Sequence, residues 1–264
     1  MKAKYIHRAA LYLITALLLA LATTSQAQTN AFEAGVKAYS EADYKAAVQF
    51  FTDALNTAEG GPSAEIYYNL GAAYYKDSDL PSAILNFERA YRLNPSDQDI
   101  KFNLELAQSQ QIDKLEVAPT LLIAAWWNNL SHLMSLRGWH VVVLLTFGLL
   151  ILGILLYLRG TSQQIRKIGF FTALGTLGLF GLSLALMLQL NGFIYDQDEA
   201  ILMPEVITIT SSPDHSAKEI VVVHGGLKVR CQNELAGYTE IQLKDGTIGW
   251  VPTSSLQRIN NFER

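Results

Sequence analysis

The residues that could do acid–base, nucleophilic or metal chemistry are few in this sequence and lie far apart. There is a single cysteine, Cys231, and the five histidines stand at positions 7, 132, 140, 215 and 224. The chain contains no nucleophile elbow, His-Glu-x-x-His zinc pair, phosphate-binding loop or dinucleotide fingerprint. One cysteine also excludes an intrachain disulfide framework. We therefore predict that the protein is not an enzyme and has no catalytic residue, metal site or cofactor.

Charge is segregated along the 264-residue chain. Residues 28–118 carry seven basic and fourteen acidic side chains, and residues 191–264 carry six and ten. Between them, residues 119–190 have four basic side chains and no acidic one. An apolar, positively charged piece between two acidic pieces is typical of a membrane protein with water-facing ends. The overall acidity argues against nucleic acid as a partner, because nucleic-acid binding needs a basic surface.

The first 27 residues have the features of a secretory signal peptide. Lys2, Lys4 and Arg8 precede an apolar run at 9–22, and small residues follow at the sites that a signal peptidase recognises. An uncleaved anchor is the alternative. In both cases, residue 28 onward is expected outside the cytoplasm.

Two uncharged runs, 139–158 and 168–190, are long enough to be transmembrane helices. The link between them, 159–167, holds three positive side chains and no acidic one, so we predict that it is cytoplasmic. Both acidic ends would then face outward, in agreement with the signal peptide. Neither run has an ionisable residue in its middle, which favours an anchor over a transporter.

Residues 119–138 are predicted to form an amphipathic helix in the lipid headgroup layer. One face of this helix would carry apolar side chains, namely Leu122, Trp126, Leu130, Leu133 and Met134. An ordinary helix packed on the outer domain is the alternative.

Residues 28–118 contain an internal repeat. Its second copy is Tyr67-x₂-Leu70-Gly71-x₂-Tyr74 with Ala83-x₃-Phe87, Ala90 and Pro95, and its first copy is Gly35, Ala47-x₃-Phe51 and Ala54. The pattern resembles the tetratricopeptide repeat, a helix–turn–helix unit, and predicts an all-α solenoid. Asp97 to Val117 is expected to be a capping helix, because Phe102 and Leu106 continue an apolar face.

The resemblance implies that peptides or helices bind on the concave face, which the first helix of each pair forms. The candidate groove residues are Tyr39, Tyr68, Asn69, Tyr75 and Lys76. Packing between helices is the alternative role for each tyrosine.

Residues 205–264 are predicted to be a small all-β domain after a linker at 191–204. Short alternating segments are separated by turns at His224-Gly225-Gly226 and Asp245-Gly246, which is typical of a small antiparallel barrel. The closing Asp-Gly-x-x-Gly-Trp-Val resembles the bacterial SH3-like domain, whose members often bind peptides or wall material. Cys231 shares the parity of Val229, so we predict that it faces the core as an inert thiol.

The whole order of parts resembles the BatE-type proteins of the Bacteroides aerotolerance (Bat) group. The likeness is carried by Tyr67–Pro95, by the tryptophans from Trp126 to Trp139 and by Asp245–Val251. The resemblance implies a bacterial inner-membrane protein with both soluble domains in the periplasm. It also implies partners among von Willebrand A-type Bat membrane proteins and a link to aerotolerance or stress resistance.

The first functional hypothesis is thus a membrane-anchored scaffold for protein partners. The alternative is a peptidoglycan-binding module that acts through the SH3-like barrel.

Overall fold

A computed structural model describes residues 26–57, 63–114, 122–214 and 216–260. The described residues form a helical N-terminal part, two long apolar helices and a C-terminal antiparallel sheet. The predicted signal peptide lies outside the described residues, except for 26 and 27, which are helical.

Five helices form the described N-terminal part, and an aspartate directly precedes three of them. The helices are α1 Gln26–Ser40, α2 Tyr44–Asn56, α3 Ala64–Lys76, α4 Leu80–Leu93 and α5 Gln98–Ser109. Asp43, Asp79 and Asp97 cap α2, α4 and α5, and their carboxylates accept backbone N–H groups of the first turn. These caps satisfy donors that have no partner within the helix, so the sequence itself fixes where the helices begin.

The two helix pairs cross in the same way, as the repeat predicted. A Cβ atom on Gly71 would lie 2.8 Å from Cδ1 of Phe87, and one on Gly35 would lie 2.6 Å from Cδ1 of Phe51. Both phenylalanines are buried. A glycine in the first helix thus makes room for the aromatic ring of the second in each repeat.

The capping helix is shorter than expected and turns a different face inward. It ends at Ser109, and its buried side chains are Ile100, Leu104 and Ala107. Phe102 is 64% exposed and Leu106 is exposed as well, so the prediction that these two continue the packed face is wrong. The buried set has the 3–4 spacing of one helix face, whereas Phe102 lies on another side.

The predicted interfacial helix at 119–138 is not one helix. Helix α6 is Leu122–Ser131, and α7, Leu136–Arg159, begins after a turn where the Ser135 hydroxyl accepts the N–H of Gly138. Trp127 and Leu130 pack against the following helices. Trp126, in contrast, is 63% exposed.

Helices α7 and α8, Gln163–Ile194, are both long and apolar enough to cross a membrane. They pack against each other where Gly153 meets Ala173, since a Cβ on Gly153 would lie 2.7 Å from the Ala173 nitrogen. The turn between them is residues 160–162, so α8 begins inside the stretch 159–167 that the sequence predicts as the link. The hydroxyl of Ser162 accepts the N–H of Ile165 and caps the start of α8. The helix then continues through Arg166, because arginine is a good helix former.

In the described residues, seven short antiparallel strands make the C-terminal sheet. They are β1 Glu199–Leu202, β2 Val206–Thr210, β3 Glu219–His224, β4 Lys228–Leu235, β5 Tyr238–Gln242, β6 Ile248–Pro252 and β7 Leu256–Arg258. Their order is β3-β2-β6-β5-β4-β1-β7. In the described residues this sheet is not closed, so the structure establishes a small antiparallel β domain rather than a complete barrel.

The sheet begins earlier than predicted, because β1 lies inside the supposed linker at 191–204. This strand pairs with both β4 and β7. Ala200, Ile201 and Leu202 are all fully buried, since one side of β1 faces the sheet core and the other faces α4. Cys231 is 5% exposed and packs in the sheet core, which confirms the predicted core-facing orientation. This burial raises the pKa of its thiol.

Candidate protein-binding groove and the junction behind it

The predicted groove tyrosines of the second repeat are half-buried side chains paired with α5. The hydroxyl of Tyr68 accepts a hydrogen bond from the Asn103 amide at 3.0 Å. The hydroxyl of Tyr75 accepts one from Gln110. Asn103 and Gln110 are seven residues apart, as Tyr68 and Tyr75 are. Two successive hydrogen-bonded pairs therefore join one face of α3 to α5 and to the residue that follows it. The tyrosines therefore combine a packing role with a position on the face formed by the first helices.

Two of the other predicted groove residues, Tyr39 and Asn69, make local contacts. The Tyr39 ring packs edge-on against Tyr44 with ring centroids 5.5 Å apart. The Asn69 amide donates to the carbonyl of Glu65, one turn earlier in the same helix, at 2.8 Å. Lys76 is exposed in the last turn of α3. Tyr39 and Asn69 are thus half-buried, and of these three residues only Lys76 is exposed.

The end of the groove at Tyr68 has acidic surroundings. Burial raises the pKa of the Tyr68 phenol, and the nearby carboxylates of Asp99 and Asp97 raise it further. Tyr68 thus stays a neutral hydrogen-bonding group at physiological pH. The groove suits apolar and hydrogen-bonding contacts, with negative charge at one end.

The opposite side of the second repeat is covered by the β domain. Ile84 and Leu85 of α4 pack in one cluster with Ile201 of β1 and with Ile259. In addition, the Arg89 guanidinium donates to the carbonyls of Arg258 and Ile259 at 3.0 and 3.2 Å. The repeats and the sheet are thus joined by an apolar contact with a polar edge.

Four charged side chains lie at the centre of this junction. Arg92 of α4, which is fully buried, pairs with Glu199 of β1. The Lys228 ammonium lies 3.2 Å from Glu199 and 3.1 Å from Glu88. Two positive and two negative groups therefore neutralise one another, which is what allows charges to be removed from water.

The pKa values at the junction follow from this arrangement. Burial alone would raise the pKa of Glu199, but Lys228 and Arg92 outweigh burial and hold the pKa below its ordinary value. Burial alone would lower the pKa of Lys228, but Glu88 and Glu199 outweigh it and raise the pKa. Both groups remain charged near neutral pH.

A second contact joins the segment that follows α5 to the end of β3 and the turn after it. The backbone N–H of His224 donates to the Asp113 carboxylate at 2.6 Å, and its Nδ1 lies 3.3 Å from the same group. The Gln111 amide donates to the carbonyl of Gly226 at 2.6 Å. Gly226 has a φ of +91°, a conformation that glycine adopts without strain.

Helix α4 of the second repeat also contacts one end of the long apolar helices. The Arg92 guanidinium donates to the carbonyls of Phe193 and Asp196 at 2.8 and 2.9 Å, next to the C-terminal end of α8. At the start of α7, the Trp139 indole donates to the carbonyl of Ser131 at 2.8 Å. The repeats and the sheet therefore lie at one end of the α7–α8 pair, and the basic link lies at the other.

Sequence reasoning did not find the junction residues, although α4 carried a signal. Eight of its fourteen residues are buried, including Glu88 and Arg92, so more than one face of the helix is covered. The apolar Ile84 and Leu85 lie outside the repeat pattern and could have indicated a second covering element. No group of three or more His, Cys, Asp or Glu side chains that could hold a metal ion occurs in the described part of the chain.

Comparison with known proteins agrees with this architecture for the second repeat. Residues 64–97 match the family model of the tetratricopeptide repeat, and the match spans α3, the turn and α4. No curated protein matches the chain. The chain is therefore a protein that contains a tetratricopeptide repeat, a unit whose implied role is the binding of other proteins. In this protein the repeat is combined with two apolar helices of membrane-spanning length and an antiparallel β domain.

Proposed function

We propose that the protein is a non-enzymatic scaffold, anchored in a membrane by α7 and α8, whose repeats bind protein partners outside the cytoplasm. In its finer form, the proposal is a BatE-type protein of the bacterial inner membrane, with both soluble domains in the periplasm. Its partners would be von Willebrand A-type Bat membrane proteins, in a complex linked to aerotolerance or stress resistance. The β domain would be of the bacterial SH3-like class.

The observation that carries the scaffold proposal is the groove face of the matched repeat. Tyr68 and Tyr75 are two helical turns apart, about 10 Å along α3, and their hydroxyls are fixed by Asn103 and Gln110. Rings that are already held in place lose little side-chain entropy when a partner binds. Tyrosine is also enriched among the residues that dominate binding energy at protein interfaces.

The position of the soluble parts supports the proposed topology. Arg92 connects the repeats to the C-terminal end of α8, while Arg159 and Arg166 flank the link at the other end of the helix pair. A helix of 24 residues, such as α7, is about 36 Å long, enough to cross roughly 30 Å of hydrocarbon. One arrangement therefore puts both acidic domains on one side and the positive link on the other, as the positive-inside rule requires.

Site-specific crosslinking in living cells tests the scaffold proposal. A photoreactive phenylalanine would replace Tyr75 in the groove, and the matched control would carry it at Asp53, an exposed residue of α2. We expect one membrane protein to be captured from position 75 and not from position 53, and mass spectrometry would identify it. A von Willebrand A-type protein would support the finer proposal.

The same experiment has outcomes that contradict the proposal. Equal capture from both positions would mean that the groove has no selective role. No capture from position 75, with the protein intact in the membrane, would contradict the groove as the binding surface. Sedimentation of the detergent-solubilised full chain with purified cell-wall sacculi would then favour the wall-binding alternative.

A further inference from the structure

A polar cleft lies where the end of α5 meets the β domain, outside the concave groove. Its volume is about 290 Å³. The lining residues are Gln108, Ser109, Gln111, Asp113, Lys114, Leu227, Lys228 and Lys244. Pockets for whole drug-sized ligands start at about 300 Å³, so this cleft would hold a short segment rather than a folded surface.

The cleft is positive, whereas the protein as a whole is acidic, with a formal net charge of −4. Three lysines and one carboxylate line it. Lys228 is neutralised by Glu88 and Glu199, and Asp113 is engaged by His224. The ammonium groups of Lys114 and Lys244 have no ion-pair or hydrogen-bond partner within the described residues.

These two lysines come from the two parts of the molecule. Lys114 follows α5, and Lys244 lies in the turn between β5 and β6. A ligand that binds both lysines would carry two negative groups, or a single negative group that reaches both ammonium groups. The Lys228 side chain at the cleft wall is 21% exposed. Its ammonium has three N–H donors, and its two carboxylate partners occupy two of them, so one remains for a ligand.

The neutral side chains indicate the rest of the ligand. Gln108 and Gln111 donate their N–H groups to Glu88 and to Gly226. Within the part of the chain that the structure describes, their amide oxygens have no hydrogen-bond donor. A ligand that matches this cleft therefore offers both carboxylates and N–H donors, which a simple inorganic anion lacks.

We propose that this cleft is a binding site for a short acidic peptide segment of a partner protein, held by Lys114 from the helical part and by Lys244 from the β domain. The site is separate from the groove of Tyr68 and Tyr75 and does not depend on it. Because its walls belong to α5 and to the β domain, the bound segment would contact both soluble parts at once.

Calorimetric titration of the full chain in detergent micelles tests this site. The probe is acetyl-Gly-Glu-Gly-Glu-Gly-amide, and its uncharged counterpart has glutamine in place of each glutamate. We expect saturable binding of the acidic peptide that weakens as salt is added, since screening acts on exposed charges. Lys114→Glu and Lys244→Glu should each weaken binding by about tenfold or more, the loss of one charge-assisted hydrogen bond.

Matched variants keep the test decisive. Lys218→Glu makes the same charge change at an exposed residue of the β domain outside the cleft, and binding should change little. Lys244→Ala should also weaken binding without adding a negative charge, and unchanged thermal unfolding would show that the variants are folded.

Four results would overturn the proposal. They are the absence of saturable binding, equal binding of the uncharged peptide, an equal loss with Lys218→Glu, and tighter binding of inorganic phosphate than of the acidic peptide. Crosslinking from position 75 tests the groove independently, so failure of one site is distinguishable from failure of the other.

Discussion

Arg92 in the second helix of the matched repeat pairs with Glu199 in the first strand of the β domain, 107 residues later in the chain. The same guanidinium reaches two carbonyls next to the end of α8. One fully buried side chain therefore connects all three parts of the protein. A partner that binds the repeats is thereby mechanically connected to the β domain and to the apolar helices.

Removing the charge of Arg92 should strongly destabilise the junction. We expect Arg92→Met to lower the free energy of unfolding by about 3–5 kcal/mol, because Glu199 loses one of its two cationic partners and two carbonyls lose their donor. Arg230→Met is the matched control, since Arg230 is 54% exposed, lies 3.7 Å from Asp196 and should contribute less than about 1 kcal/mol. Urea unfolding of the detergent-solubilised protein would measure both losses. Equal losses would contradict the central role of Arg92.

The stability of the junction should depend on pH through Glu199. The folded protein holds the pKa of Glu199 below its ordinary value of 4.5, so folding favours the carboxylate. This contribution is fully present above pH 4.5 and is lost as the pH falls through the lower pKa of the folded state. The difference in melting temperature between the wild type and Glu199→Gln should therefore be constant near neutral pH and shrink in acid. A difference that grows on acidification would mean that the pKa is raised instead.

The glycine–aromatic contact of each repeat should not tolerate a methyl group. Gly71→Ala places a Cβ atom 2.8 Å from the Phe87 ring, and such overpacking costs about 1–3 kcal/mol. The helix propensity of alanine returns about 1 kcal/mol, so the net effect should be destabilising. Gly175→Ala, where nothing lies within 4 Å, is the control.

A double-mutant cycle separates the steric cause from other effects. Phe87→Leu removes part of the ring that the new methyl group would meet. Gly71→Ala combined with Phe87→Leu should then cost clearly less than the sum of the two single losses in thermal unfolding. Strict additivity would mean that the two positions do not interact.

The hydrogen bond between Tyr68 and Asn103 should stabilise the packing of α5 on the repeats. Tyr68→Phe should lower the free energy of unfolding by about 0.5–1.5 kcal/mol, the usual net value of one hydrogen bond. Tyr39→Phe is the control, because the Tyr39 hydroxyl has no hydrogen-bond partner among the residues that the structure describes. Once Asn103 is replaced by alanine, Tyr68→Phe should have little further effect. A full additional loss would assign the stabilising role to another partner of the hydroxyl.

Local patterns predicted the parts of this fold that local contacts determine. Gly71 and Phe87 stand at the spacing of one helix pair, and Cys231 lies on the core face because strands alternate. The position of β1 could not be predicted in this way, since Ala200 to Leu202 are buried on both faces and show no alternation. Nor could the roles of Glu88 and Arg92, which look like solvated helix charges until a strand far along the chain covers them.

The proposed topology predicts which exposed positions are accessible from outside the cell. Single cysteines would replace Glu41 after α1, Thr161 in the link and Ser254 in the β domain, all of which are exposed. With the membrane intact, an impermeant maleimide should label positions 41 and 254, and it should label position 161 only after the membrane is opened. The native Cys231 should stay unlabelled in the folded protein, because its thiol is buried and its pKa is raised by that burial. Labelling of position 161 from outside would contradict the cytoplasmic position of the link, and with it the placement of both soluble domains in the periplasm.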